Sequence, residues 1–181
     1  MCRKRRISVA LLIFCLVIAL AAIVIIRLRQ PLETQRLSAG TVVDRVVVEK
    51  SARKLSVFRR GKEVTSYCVA LGGQPVGAKQ QEGDMKTPEG LYAIDYRNPQ
   101  SDFHLSLHIS YPGPEDVRRA AVAGVPPGGD IMIHGLPNGM GWLGRAHQNR
   151  DWTAGCIAVT DEEIEELWRI VPDGTPIEIR P

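Results

Sequence analysis

The sequence has little aromatic content, 6% of its 181 residues, and few cysteines, four in all. Cys2 and Cys15 fall in or beside an N-terminal hydrophobic stretch, which leaves Cys68 and Cys156 for the globular part. With no CxxC pair, neither a disulfide framework nor a zinc-finger spacing is present, and no metal site is expected. A helical bundle is also disfavoured. Glycine (17) and proline (12) are plentiful, which fits a loop-rich β or α+β domain. The formal charge is +3, but residues 1–36 hold seven Lys/Arg against one Glu, so the remainder carries about −3. Past residue 36 there is no basic stripe with interleaved aromatics, which argues against a nucleic-acid partner.

The basic excess belongs to the N-terminus. Residues 1–6 carry Arg3, Lys4, Arg5 and Arg6, and residues 7–26 are uncharged. A helix of that length spans roughly 30 Å, the thickness of a hydrocarbon core. Four basic residues ahead of it favour a cytoplasmic N-terminus, placing the rest of the chain on the far side of the membrane. The expectation is a single-pass anchor in the inner membrane, a polar linker over 27–40, and one periplasmic or extracytoplasmic domain over 41–181. The competing reading is a secretory signal cleaved after the small-x-small run Ala19-Leu20-Ala21. The run continues through Ile23-Val24-Ile25-Ile26, which favours the anchor.

About 145 residues remain for that domain, enough for one core. Strands are expected over 42–50, 55–59 and 63–71, the last two joined by the hairpin Arg60-Gly61-Lys62. Cys68 reads as a small buried residue of the third strand. Residues 72–84 read as a polar loop, and Lys86-Thr87-Pro88-Glu89-Gly90 as a turn, either solvated or touching substrate. It feeds a strand over 91–96. Residues 103–110 alternate strictly, with Phe, Leu, Leu and Ile on one face and His104, Ser106, His108 and Ser110 on the other. On a strand the two histidines lie roughly 13 Å apart, too far to share an ion; they read as polar-face residues able to line a cleft. A helix is expected over 115–123 and a buried strand over 131–133. After Thr160-Asp161-Glu162-Glu163, a capping box, comes a short C-terminal helix with Ile164, Leu167, Trp168 and Val171 at helical spacing. A closing strand covers 177–179.

The chemistry gathers between Ile131 and Val159. His134 leaves an apolar run and meets Gly135; Cys156 follows Thr153-Ala154-Gly155 and leads into a second apolar run. A thiol needs a base or a lowered pKa to attack a carbonyl, and an imidazole mounted on a strand end can serve. Cys156 is therefore the candidate nucleophile and His134 the candidate proton acceptor and donor. Gly155 leaves the thiol unobstructed, and amides near Ala154, Gly155 and Cys156 can form an oxyanion hole. Thr153 can orient that turn. His147 is the rival base, read as an exposed loop residue or substrate contact. Asp130 and Asp151 are candidates to orient the imidazole, a task a backbone carbonyl would do as well.

These pieces resemble the L,D-transpeptidase catalytic domain of bacterial cell-wall enzymes, the YkuD family. That family carries His-Gly followed by Ser/Thr-x-Gly-Cys, where this chain has His134-Gly135 and Thr153-Ala154-Gly155-Cys156-Ile157. The likeness extends from about Thr41 to Pro181 and includes the Lys-Thr-Pro-Glu-Gly turn. It implies a mostly β (α+β) fold with a mixed, sandwich-like β core. It also implies a cysteine acyl-enzyme on peptidoglycan stem peptides, with Cys156 attacking the carbonyl at the L-centre of diaminopimelate and expelling D-alanine. No cofactor is implied. Two features depart from the family pattern: Ala158 stands where many members have arginine, and the His-to-Cys segment is longer. Arg145 and Arg150 in that segment are candidates to supply the missing charge to a substrate. The alternatives are a hydrolytic relative, either an L,D-carboxypeptidase or an enzyme releasing a wall-linked protein, and a non-catalytic peptidoglycan-binding module. A metal hydrolase built on His134 and His147 lacks ligand spacing.

Overall fold

Three consecutive valines, Val46, Val47 and Val48, fill the middle of β1 (Arg45–Glu49), and all three are buried. A run without alternation is what a strand covered on both faces shows. It lies in the interior of the sheet, antiparallel to β2 (Lys54–Arg59) on one side and parallel to β8 (Pro176–Arg180) on the other. The structure is a computed structural model and describes residues 40–181. The expectations for 1–6, for the anchor over 7–26 and for the linker up to residue 39 lie outside the described residues. Among the described residues no helix is long and apolar enough to cross a membrane.

The hairpin between β2 and β3 (Lys62–Cys68) turns on Arg60 and Gly61, both at positive φ (51° and 76°). That is the two-residue turn whose twist matches the strands it joins. β4 (Gly90–Asn98) pairs antiparallel with β8 and with β5 (Ser106–Ile109); β5 pairs antiparallel with β6 (Met132–His134). β6 then pairs parallel with the two-residue β7 (Ile157–Ala158). The order is β3-β2-β1-β8-β4-β5-β6-β7.

The strands form one mixed order in a mostly β domain that bends at β4, whose residues 90–93 pair with β8 and 94–98 with β5, and the sheet curls into a half-barrel. Its outer edges meet, because the chain leaving β3 runs on to β7: Ala70 and Ala158 exchange both backbone hydrogen bonds, at 3.0 and 2.8 Å. The curl encloses a core that includes Val46, Val48, Leu55, Val57, Ile94, Leu107, Ile133 and Ile157. Helix α1 (Pro114–Ala123) lies in the β5–β6 connection. Helix α2 (Asp161–Ile170) packs on β5 and β6 and adds Ile164 and Leu167 to the core. Its capping box forms as expected: the Glu163 amide donates to Thr160 Oγ1 (3.3 Å) and the Thr160 amide to Glu163 Oε2 (2.9 Å).

Two expectations need correcting, and one loop carries more structure than its composition shows. The alternating run 103–110 yields a strand only from Ser106, because His104 takes φ 64° and its amide is held by Asn138 Oδ1. His104 then reaches Glu165, and His108 pairs with Asp95 and stacks on Tyr96. Cys68 is exposed, whereas its neighbour Tyr67 is buried and donates to Glu166; the face inverts with one residue of register. The polar segment 72–89 is largely exposed, as a loop should be, but is strapped down by two buried lysines and by Thr87. The ammonium of buried Lys50 donates to Gly77 O (2.7 Å), Thr87 O (3.0 Å) and Glu89 Oε1 (2.8 Å), and that of buried Lys79 donates to Asp84 and Gln81 O.

Removing the cap of α2 should loosen the helix against β5 and β6. Thr160→Ala is expected to cost about 1 kcal/mol, read as a lower urea midpoint at an unchanged slope.

Candidate active site

The parallel pairing of β6 with β7 sets Ile133 beside Ile157 and His134 beside Ala158. Side chains alternate faces, so Cys156, two residues before Ala158, lies on the face of His134. Such diagonal neighbours have Cα atoms roughly 7–8 Å apart, a gap a thiol and an imidazole can close. Both residues line one cleft of about 480 Å³, together with Asp102, Phe103, Asp130 and Trp152. His134 is almost wholly buried, packed under Phe103 with ring centroids 4.5 Å apart, and edge-on to Trp152 at 5.8 Å.

His134 Nδ1 meets the carbonyl of Gly135 at 2.7 Å. A carbonyl only accepts, so Nδ1 carries the proton and Nε2 keeps its lone pair. The orienting partner is therefore backbone, not a carboxylate. Asp151 is committed elsewhere, bound to Arg53 (2.7 Å) and accepting the Leu71 amide (2.9 Å). Asp130 acts through its backbone, its carbonyl 3.5 Å from Cys156 Sγ, while its own φ is 53°.

Burial pushes His134 down to about 4, against the pull of the Gly135 carbonyl. Burial pushes the Cys156 thiol up, with the Met132 backbone opposing. The two shifts widen the ordinary gap between thiol and imidazole, so the resting proton stays on sulfur. Both shifts favour a neutral thiol beside a neutral imidazole over a thiolate–imidazolium pair.

The turn before the thiol is fixed by Thr153. Its hydroxyl donates to Cys156 O (2.7 Å) and accepts the Gly155 amide (3.1 Å). That commits one of the three amides expected to form an oxyanion hole. The Ala154 and Cys156 amides make no such bond within the described residues. Gly155 has φ 139°, and a Cβ there would stand 2.7 Å from Lys86 O. Gly135 is similarly confined, since its Cβ would meet Asp161 Oδ1 at 2.7 Å. Ala158 is fully buried in the sheet closure.

His147 does not share this cleft. Contrary to the expectation of an exposed loop, it is buried in a 3-10 segment (Gly141–Asn149) that breaks at Gly144. Its Nδ1 accepts the Trp152 indole N–H at 3.3 Å, and it lines a neighbouring cavity. Arg150 lines that second cavity, and Arg145 is exposed and 3.9 Å from Glu163; neither lines the cleft of Cys156. Sequence reasoning missed Phe103, Trp152 and Ser106. Ser106 pairs with His134 across β5–β6, lines the cleft, and has no partner for its buried hydroxyl among the described residues. Only Trp152, beside the Thr-Ala-Gly-Cys motif, carried a signal in its position. No group of three His, Cys, Asp or Glu among the described residues is placed to hold a metal ion.

With this geometry in hand, comparisons with known proteins converge. A family model described as the L,D-transpeptidase catalytic domain (YkuD) matches residues 43–179. YafK of Escherichia coli (strain K12) is 26% identical over 133 residues, covering 70% of this chain and 46% of YafK. Among solved structures, the helical cell shape determining protein Pgp2 from Campylobacter jejuni is 27% identical with TM-score 0.58, over 77% of this chain and 48% of that one. Bd1075 of Bdellovibrio bacteriovorus is 27% identical with TM-score 0.54, over 78% and 49%. The chain thus spans about half the length of these relatives.

Two outcomes test the electrostatics and the turn. Alkylation of Cys156 by iodoacetamide should accelerate with pH past the ordinary thiol range, and His134→Ala should leave the neutral-pH rate nearly unchanged, since no ion pair exists to be lost. Gly155→Ala should lower thermal stability and displace the thiol, read as altered alkylation kinetics.

Proposed function

This chain belongs to the L,D-transpeptidase (YkuD) catalytic-domain family, and on that premise we propose that it is a peptidoglycan L,D-transpeptidase working through a cysteine acyl-enzyme. The observation that carries the reading is the shared face of His134 and Cys156 on adjoining strands, with His134 Nδ1 committed to a carbonyl and Nε2 left to accept a proton.

In the proposed reaction, the stem peptide presents the carbonyl at the L-centre of diaminopimelate to Cys156. As Sγ bonds to the carbonyl carbon, its proton moves to His134 Nε2. A neutral imidazole can take that proton; the pH-dependence of the base is set by burial rather than by a carboxylate partner. Negative charge on the carbonyl oxygen is met by the amides of Ala154 and Cys156, which are uncommitted to Thr153. Collapse breaks the amide bond, and the D-alanine nitrogen leaves with the proton from His134. A thioester remains. An acceptor amine then attacks it, gives a proton to His134, and releases the sulfur, which takes that proton back. Water in place of the amine gives the carboxypeptidase outcome. No external reductant or nucleotide is needed, because the thioester conserves the energy of the amide it replaces.

The cellular setting is part of the proposal. Residues 7–26 would anchor the chain in the inner membrane with the domain outside, where peptidoglycan is found. The resemblance to Pgp2, a cell-shape protein, fits a substrate in the wall.

The test uses the full chain, reduced, with a disaccharide-tetrapeptide from peptidoglycan, followed by mass spectrometry. A cross-linked dimer with loss of D-alanine supports transfer, and D-alanine loss with monomeric product supports hydrolysis. Cys156→Ala should abolish either, and His134→Ala should lower kcat by about two to four orders of magnitude; full activity in either variant sinks the mechanism. His134 is deprotonated above about 4, so kcat/KM should hold as pH falls through the ordinary imidazole range and drop only near pH 4. A drop centred near an ordinary imidazole value would contradict the buried neutral base.

A further inference from the structure

The pairing of β5 with β6 sets one polar side chain directly against His134. Ser106 is the cross-strand partner of that histidine. The next pair along is hydrogen-bonded, since the Gly135 amide donates to Leu105 O at 3.2 Å. Bonded and non-bonded pairs alternate, so Ser106 and His134 form a non-bonded pair. In such a pair the Cα atoms stand roughly 4.5 Å apart and the side chains are at their closest. Both side chains project from the same face of the sheet.

Ser106 is fully buried, and its hydroxyl has no hydrogen-bond partner among the described residues. Its other neighbour, Asn98 on β4, commits its side-chain oxygen to the Gln100 amide at 2.9 Å. An orphaned buried hydroxyl costs about 1–3 kcal/mol, so alanine would suit the fold better here than serine does. His134 has the opposite problem. Its neutral ring is satisfied, with Nδ1–H on the Gly135 carbonyl. In the reaction, however, the ring carries a positive charge in the same enclosed surroundings, from the arrival of the thiol proton until the leaving amine takes it. A hydroxyl has two lone pairs and rotates to suit its neighbours. Unpartnered while the ring is neutral, it is free to present its oxygen when charge appears there.

We propose that Ser106 is a positioning residue for His134, its buried hydroxyl kept without a partner at rest so that its oxygen can turn to the imidazolium formed during acyl transfer. The inference rests on the reading of His134 as the base and deepens it by naming what offsets the charge on that base. No proton passes through the hydroxyl: the thiol proton goes to His134 and on to the leaving nitrogen, and Ser106 keeps its own. The ionisable groups around the ring are placed differently. Cys156, Asp102 and Asp130 line the cleft with it. His147 lies beyond Trp152, Asp161 of α2 holds the Leu136 amide, and His108, next on the same face of β5, pairs with Asp95. None of them hydrogen-bonds to the His134 ring among the described residues.

The test compares Ser106→Ala, Ser106→Thr and Ser106→Val in the full chain. Thr and Val share a shape and differ in the hydroxyl, so the pair controls for packing. The His134 ring is titrated by NMR in the Cys156→Ala background, where neither turnover nor the thiol intervenes. Ala and Val at 106 should lower its pKa by about half to one unit against Ser and Thr. With the disaccharide-tetrapeptide, Ala and Val should lower kcat by about three- to tenfold, leave KM unchanged, and move the acid limb of kcat/KM to lower pH; Thr should recover most of the rate. Thermal stability of Ser106→Ala should equal or exceed that of the unmodified protein. A lowered melting temperature with an unchanged ring titration marks a purely structural serine and overturns the proposal, as does equal behaviour of Thr and Val or an undiminished kcat in Ser106→Ala. Should Thr and Val at 106 fail to fold, Ser against Ala decides alone. A shifted ring titration in a protein that turns over no stem peptide sinks the enzymatic reading and leaves the coupling of Ser106 to His134 standing.

Discussion

Two residue pairs hold the site together: Ile133 beside Ile157 and His134 beside Ala158. This short parallel pairing sets the face and the offset of His134 and Cys156 at once. A slip of one residue would turn the thiol to the other side of the sheet. Several other features serve that register. Ala158 exchanges hydrogen bonds with Ala70, so the strand is gripped from its outer side as well. Gly72 runs beside Thr153, and a Cβ on Gly72 would collide with Met85 O at 2.2 Å. The strapped segment 72–89, held by Lys50 and Lys79, therefore backs the turn Thr153–Gly155 although it is remote in sequence from the thiol.

The electrostatic character of the site comes from that enclosure. A curled sheet closed by backbone pairing shields His134, and shielding an imidazole favours its neutral form. An exposed His–Cys pair could rest as an ion pair; burial of both groups here favours the proton on sulfur. The same enclosure explains the choice of a backbone carbonyl as the partner of Nδ1. A buried carboxylate there would stabilise the imidazolium but would itself need desolvation and further donors. Gly135 provides an acceptor at no such cost, and its missing Cβ lets Asp161 and Ile164 close over it.

Much of this was readable from residues alone because it is local. The capping box at Thr160 and Glu163, the hairpin at Arg60-Gly61, and the apolar runs delivering His134 and Cys156 each depend on neighbours a few positions apart. What escaped depends on partners far along the chain. The alternation from Phe103 to Ser110 is real, but Asn138 holds the His104 amide and bends the backbone before the strand begins. His147 looked like an exposed loop histidine until Trp152 and the 3-10 segment folded over it. Cys68 was placed on the wrong face because one register step separates it from Tyr67. The closure of the sheet through Ala70 and Ala158 left no mark at all in composition or periodicity, since alanines in apolar runs signal only burial. The candidate pair His134 and Cys156 was legible in both the residues and the resemblance; neither indicated that Trp152 lines two neighbouring cavities.

The strand order has a bearing on how such a domain comes into being. β8, from residues 176–180, sits in the middle of the sheet, between β1 and β4. Until those residues exist, β1 has an open edge and β4 has no neighbour on that side, so the two halves of the sheet cannot be joined. Contacts this distant along the chain make assembly slow and late. A ribosome delivering this polypeptide vectorially would release His134 and Cys156 before the sheet that organises them could form. The thiol would be chemically present but not yet set beside His134 until β8 arrived, so the proposed site and the closed sheet would form together.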